Sequence, residues 1–379
     1  ENRNSFSKLL APILDELTQR KIPFEIWSAN DGYAGAYKDC HVSKFKINFK
    51  LEFLTFLPNL IKVSFLAKRW KRDNPSGIVH NIGGGSVLFH DLITAHACHR
   101  QYLVVKKLYG ELWRAILNPI HWMILLSERL NFRRPVPVIS VSDATTAGLK
   151  AYYPRIRGSV VTIENAGSIS QTISPKDTKR PGHFRLLMAS NNHLSKGLQP
   201  LLAALVQARD AGLLWQLSVA GIDPTQETWE RRVKDLGLES MVTFLGHCQN
   251  LQQVMVEHDL FCMPSRYESF GMVFLEAAQV GCPVYGAEVG ILPTLYRGNG
   301  EDLAADQSTQ LPPALLQHPV CSKVLYASLR LFAMNPELRR RLAVDLQNRS
   351  SVYSLEKMVA ATMLVYERVA KAARHSVAR

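Results

Sequence analysis

Two glutamates, Glu268 and Glu276, stand on either side of Gly271 in the run Pro264-Ser265-Arg266-Tyr267-Glu268-Ser269-Phe270-Gly271-Met272-Val273-Phe274-Leu275-Glu276-Ala277. The run follows an apolar β pattern, turns at Gly271 and continues with helical spacing. Backbone N–H groups at such a helix start lack intrahelical acceptors and can hold an anion such as a diphosphate. Ser269, Phe270, Gly271, Met272 and Val273 are the residues expected around that cradle. A carboxylate repels phosphate, but it accepts two hydrogen bonds from vicinal sugar hydroxyls. The pattern reads as an anion on backbone amides with a hydroxyl acceptor on each side. The plainer alternative is a solvated helix with two incidental acids.

A second candidate is the run Leu187-Met188-Ala189-Ser190-Asn191-Asn192-His193-Leu194-Ser195-Lys196-Gly197, again between a β pattern and a helix. A lysine at such a turn can neutralise a departing diphosphate. Taken alone, Lys196 is equally consistent with a surface lysine. The chain contains no D-x-D pair, so a divalent cation bridging a diphosphate is not expected, nor is any cofactor beyond a cosubstrate.

Together these runs resemble the retaining glycosyltransferases of family 4. That resemblance implies the α/β GT-B fold: two facing Rossmann-like domains with parallel sheets, and a C-terminal helix that crosses back to the first. It implies that Glu268 contacts the transferred sugar, that Glu276 binds the ribose hydroxyls of the nucleotide, and that Lys196 and Gly197 meet the phosphates. Asn191 stands where the family usually has an arginine on the phosphates, and Arg266 is a candidate to supply the missing charge. Weaker matches follow in family order. Glu164-Asn165-Ala166-Gly167 resembles the loop closing the first domain, and Ala220-Gly221-Ile222-Asp223 resembles a turn after a strand. Phe244-Leu245-Gly246 resembles the strand end beside the nucleotide base, which makes Gly246 a donor-site residue. Gly290-Ile291-Leu292-Pro293 and the last helix, after Tyr353-Ser354, also fit. In the first half His96 is expected near the transferred sugar, with His99 and Asp91 as alternatives; a histidine with no role reads nearly as well there.

The activity so implied is metal-independent, retaining hexosyl transfer in lipopolysaccharide or polysaccharide biosynthesis. Its catalytic residues would be Glu268, Lys196 and His96, and its donor a nucleotide sugar, UDP favoured over GDP. The acceptor would be a glycan or a lipid-linked glycan. A phosphorylase is set aside because it needs a pyridoxal-phosphate lysine and a far longer chain. A non-catalytic scaffold that keeps the fold stays open, because of Asn191.

Alternating short β runs and amphipathic helices predict parallel sheets wrapped by helices. Strands are expected at 24–28, 78–81, 138–142 and 160–163 in the first half. In the second they are expected at 184–189, 215–220, 242–245, 260–263 and 284–285. Helices are expected at 5–20, 144–152, 195–211, 226–237, 249–257 and 271–280. The polar segment 174–182, punctuated by Pro and Gly, is the expected linker. The domains are expected at 1–173 and 174–352, with a final helix at 353–379. An α/β domain normally begins on a central strand, so a strand is expected upstream of the first helix.

The 379 residues carry a net charge of +13. Residues 1–172 hold 23 Lys and Arg against 13 Asp and Glu, and the remainder 22 against 19, so the first half faces something anionic. No nucleic-acid-binding motif accompanies the charge, and nucleic acid is not an expected partner. An anionic membrane surface fits better. Between Lys44 and Arg72 lie eight cations and one acid, Glu52. Phe45, Phe49, Phe53, Phe56 and Leu60 follow helical spacing among them, as in a helix lying in a headgroup layer or in an ordinary helix packed on its own core. Six scattered cysteines, with no C-x-x-C and no signal-peptide pattern, are expected as reduced thiols in a cytoplasmic protein. Peripheral attachment would then be to the inner face of the membrane.

Overall fold

The computed structural model describes residues 5–28, 42–44, 52–83, 87–167, 183–297 and 314–377. The chain divides into two compact units, Glu1–Ala166 with Tyr353–Arg379, and Gly167–Val352. The expected linker 174–182 lies outside the described residues.

The first unit opens with α1 (Ser5–Gln19), β1 (Ile26–Ser28), β2 (Val42–Lys44) and α2 (Glu52–Asp73). Then come β3 (His80–Ile82), β4 (Leu92–Ala95), α3 (His99–Leu108), α4 (Leu112–Ile116), α5 (Pro119–Phe132), β5 (Val138–Ser140), α6 (Asp143–Tyr152) and β6 (Val160–Thr162). β3, β4, β5 and β6 form a parallel sheet in that order, and β1 pairs in parallel with β2. Ile93, Ala95, Cys98, Phe132, Val138 and Leu149 make its core.

The second unit runs β7 (Phe184–Ala189), α7 (Leu198–Asp210), β8 (Trp215–Ala220), α8 (Gln226–Asp235), β9 (Val242–Gly246), α9 (Leu251–Val256) and β10 (Leu260–Met263). It continues with α10 (Met272–Gln279), β11 (Val284–Gly286), α11 (Leu292–Arg297), α12 (Ser322–Met334) and α13 (Pro336–Ser350). Its sheet is parallel in the order β11-β10-β7-β8-β9. Leu186, Leu187, Met188 and all of Leu260-Phe261-Cys262-Met263 are buried, the near-continuous apolar runs that a strand covered on both faces requires. Helix α7 buries Leu198, Leu201, Leu202 and Leu205, one stripe at helical spacing.

The final helix, α14 (Leu355–Val377), belongs to the first unit and packs against α1. Tyr366 Oη lies 2.8 Å from His80 Nδ1, and His80 Nε2 lies 2.8 Å from Thr94 Oγ1, which ties α14 to β3 and β4. Tyr366→Phe leaves a buried ring nitrogen without its partner. It is expected to cost about 1–2 kcal/mol, read as a lower urea midpoint; an unchanged midpoint would remove this tie as a source of stability.

Three expected strands, 184–189, 215–220 and 260–263, match β7, β8 and β10, and other boundaries differ by one to three residues. Helix α7 begins at Leu198 rather than at residue 195 because Gly197 adopts φ 87°, which interrupts the helix. β4 and α3 to α5 were not foreseen. Of the expected apolar face before residue 61, Phe45 and Phe49 lie outside the described residues, Phe56 is half-buried and Leu60 is buried. Leu60 thus packs on the protein's own core, and the outward apolar residues of α2 are instead Leu57, Ile61 and Phe65.

Candidate functional site

In the second unit the chain winds from β7 outward to β9, then returns to place β10 on the other side of β7. The order of strands therefore reverses between β7 and β10. In an open parallel sheet the loops leaving two such strands diverge, and a crevice opens at their carboxyl ends. The loop after β7 carries Asn191, Lys196 and Gly197; the loop after β10 carries Arg266, Glu268, Ser269, Phe270 and Gly271. Most of the candidates chosen from the sequence thus gather at this one position.

The two loops are bound to each other. Lys196 Nζ donates to Glu268 Oε1 at 2.6 Å, and Ser265 Oγ donates to the same oxygen at 3.0 Å. The Arg266 N–H donates to the Ser195 carbonyl at 2.8 Å. Gly197 has no alternative at its position: beyond its φ of 87°, a Cβ there would stand 2.2 Å from the Pro264 carbonyl oxygen. The Glu268 side chain is 10% exposed and that of Lys196 27%, so the pair is shielded yet reachable. An ammonium carries three donors, and the bond to Glu268 engages one of them.

Gly271 is the N-cap of α10, at φ 85°, and as a glycine brings no side chain of its own to the helix start. The N–H of Phe274 is taken up within the turn by the Gly271 carbonyl. Met272, Val273 and Glu276 are half-buried on this helix, whereas Phe270 and Phe274 anchor it in the core. Gly290 packs against the same turn: a Cβ there would lie 2.2 Å from the Phe270 carbonyl oxygen, which accepts the Ile291 N–H at 2.7 Å.

Asn191 acquires a role that the sequence alone did not show. Its Oδ1 accepts the Ile222 N–H at 3.1 Å, joining the loop after β7 to the loop after β8. Asp223 makes the same join, taking the His193 N–H at 2.5 Å and both the N–H and hydroxyl of Thr225. Gly246, at φ 63°, completes the row, its carbonyl accepting the Gly221 N–H at 2.7 Å. Asn191 is therefore a strut of the loop layer, exposed at its edge. Ser265 and Asp223 stood in the quoted runs, but nothing in their spacing marked them as the residues that hold Glu268 and the loop row in place.

In the first unit His96 follows β4 and borders a cavity of about 50 Å³ whose walls include Leu9, Ile82, Ile139, Val141 and Met358. Burial pushes its pKa down to about 4, so the ring is neutral at pH 7. The two alternatives have structural employment. His99 Nε2 lies 2.9 Å from His121 Nδ1, and Asp91 accepts from the Val79 N–H and from Lys71. Glu128 takes the His99 N–H at 3.0 Å and the Tyr153 hydroxyl at 2.5 Å, so it closes the start of α3.

Residues 183–317 match the family described as glycosyl transferases group 1. The lipopolysaccharide core biosynthesis mannosyltransferase LpsB of Rhizobium meliloti is 28% identical over 142 residues, 36% of this chain and 37% of that protein. Among solved structures, WaaG, a glycosyltransferase involved in lipopolysaccharide biosynthesis, superposes with a TM-score of 0.70 at 16% identity over 96% of both chains. Anabaena Alr3699/HepE in complex with UDP and glucose does so with a TM-score of 0.63 at 18% identity, again over 96% of both. The chain matches less than half the length of the curated relatives it is similar to, 37% in the case of LpsB. The stretch 183–317 of the second unit is thus similar to the group 1 glycosyl transferases, on a chain with the GT-B fold.

Proposed function

We propose that this chain is a retaining glycosyltransferase that moves a hexose from a nucleotide sugar, by preference a UDP-sugar, to a glycan or lipid-linked acceptor in surface polysaccharide or lipopolysaccharide biosynthesis. The observation that carries the reading is the 2.6 Å contact between Lys196 and Glu268 at the strand-order reversal between β7 and β10. That contact sets a lysine and a glutamate side by side, next to the start of α10 at Gly271, and supports reading the one as the cation for a diphosphate and the other as an acceptor for sugar hydroxyls. The relatives named for lipopolysaccharide synthesis and the likeness to a UDP–glucose complex support the class of donor and acceptor.

In the reaction the anomeric C–O bond to the diphosphate breaks and a bond from C1 to the acceptor oxygen forms on the same face. The acceptor's proton passes to the leaving phosphate oxygen. Negative charge grows on the diphosphate, and Lys196 with the amides of 271–273 meets it with no metal required. Glu276, a turn further along α10, holds the ribose hydroxyls, and Glu268 those of the sugar.

Calorimetry and slow donor hydrolysis with UDP-glucose, GDP-mannose, UDP and GDP test this directly, with and without a chelator. UDP and a UDP-sugar should bind, and hydrolysis should survive chelation. Failure of every nucleotide to bind would end the enzymatic reading; binding without turnover would leave a scaffold.

A further inference from the structure

Helix α5 is apolar on its outward side. It buries Ser127, Glu128, Asn131 and Phe132, whereas Trp122, Leu126 and Leu130, four residues apart, are 57%, 54% and 42% exposed. A helix on a soluble domain normally turns polar residues outward. Glu128 is held inward by the His99 N–H and the Tyr153 hydroxyl, and the Asn131 amide N–H reaches Ser127 Oγ. The outward apolar row continues on α4, which packs against α5. Trp113, Ile116 and Leu117 are all at least half exposed there, and the Trp122 indole donates to the Ile116 carbonyl at 2.9 Å, which fixes the two rows side by side. Contiguous apolar surface of this kind is a contact surface and not incidental exposure.

The charges around it are of one sign. Residues 98–134 contain seven Lys and Arg and two Glu. Of those two, Glu128 is buried and Glu111 is held by Lys106 at 3.2 Å. Arg129 and Arg133 lie exposed on the same outward side of α5 as Leu126 and Leu130, and Lys107 is exposed at the end of α3. Among the described residues no helix is long and apolar enough to cross a membrane, so an embedded span is not the use of this surface.

We infer that the outward face of α4 and α5 docks on an anionic lipid bilayer, its tryptophans and leucines entering the headgroup–acyl boundary and its arginines meeting lipid phosphates. Exposed apolar side chains interleaved with cations, and two tryptophans whose indoles suit the interface, are what such a layer binds. A second copy of the chain would bring the same cations face to face, which disfavours it as the occupant. This inference does not depend on the donor site.

Co-sedimentation with phosphatidylcholine–phosphatidylglycerol vesicles, against phosphatidylcholine alone, tests it. The parent should partition onto the anionic vesicles. Trp113→Gln/Leu126→Gln/Leu130→Gln and, separately, Arg129→Gln/Arg133→Gln should each reduce partitioning about tenfold or more, with circular dichroism and UDP binding unchanged. Brominated lipids should quench the parent's tryptophan fluorescence, a readout that needs no variant. Absence of quenching, or equal partitioning of parent and variants, overturns the inference. A dimer that the apolar variant converts to monomer, without vesicle binding by the parent, would assign the surface to self-association and overturn it too.

Discussion

Replacing Lys196 with Ala is expected to cut turnover about a hundredfold, the effect of removing one preorganised group that meets charge in the transition state. The loss should fall mainly on kcat, because the diphosphate gains charge as the anomeric bond breaks. Glu268 keeps the Ser265 hydroxyl at 3.0 Å when the lysine is gone, so its carboxylate stays oriented and the loops do not collapse. Lys196→Arg should recover part of the rate, since the charge returns with different reach. Donor hydrolysis at saturating UDP-sugar measures both variants. Turnover within about twofold of the parent would strike Lys196 from the chemistry.

The first unit is expected to lose stability steeply below pH 6.5. Burial drives the pKa of His80 down to about 3, with the neighbouring His96 and His90 adding to the shift. Burial likewise takes His90 and His96 to about 4, with Arg134 contributing at His90. In the unfolded chain each ring takes a proton near pH 6.5. Between 6.5 and about 4 the unfolded state therefore binds protons that the folded state refuses, and stability falls as pH falls. Each histidine contributes at most about 1.4 kcal/mol per pH unit, so three together impose at most about 4 kcal/mol per pH unit. By pH 5 that is about 6 kcal/mol, a large share of a typical domain stability of about 5–15 kcal/mol, so the melting temperature should fall steeply over this range. Thermal unfolding followed from pH 7 to 4.5 checks this, and His90→Leu should make the decline shallower. A melting temperature that holds constant over that range would contradict the assignment of neutral buried rings.

Much of the second unit was legible because its signals are local. A strand buried on both faces reads as a near-continuous apolar run, as at 184–189 and 260–263, and a half-covered one alternates, as Trp215-Gln216-Leu217-Ser218-Val219 does at 215–220, so all three are legible to the residue. The first unit was harder for a physical reason. β4 is four residues long, Leu92-Ile93-Thr94-Ala95, between His90-Asp91 and His96, too short to show a period. Helix α5 carries Trp122, Leu126 and Leu130 outward and buries Ser127, Glu128 and Asn131 beside Phe132, so its pattern names no core face. The partners that hold Glu128 inward, His99 and Tyr153, are remote in sequence.

By itself, then, the sequence determined the alternation of strands and helices, the turns at Gly197 and Gly271, and the chemical types available at Lys196, Glu268 and Glu276. All of these depend on a residue and its near neighbours. Only the tertiary structure decided that the β7 and β10 loops leave adjacent strands at the reversal of strand order, which sets Lys196 2.6 Å from a carboxylate 72 positions away. It also decided that Asn191 braces Ile222, and that the tryptophans of α4 and α5 face outward. Such pairings depend on which strands lie side by side and which face of a helix is covered, and burial across the whole chain settles both.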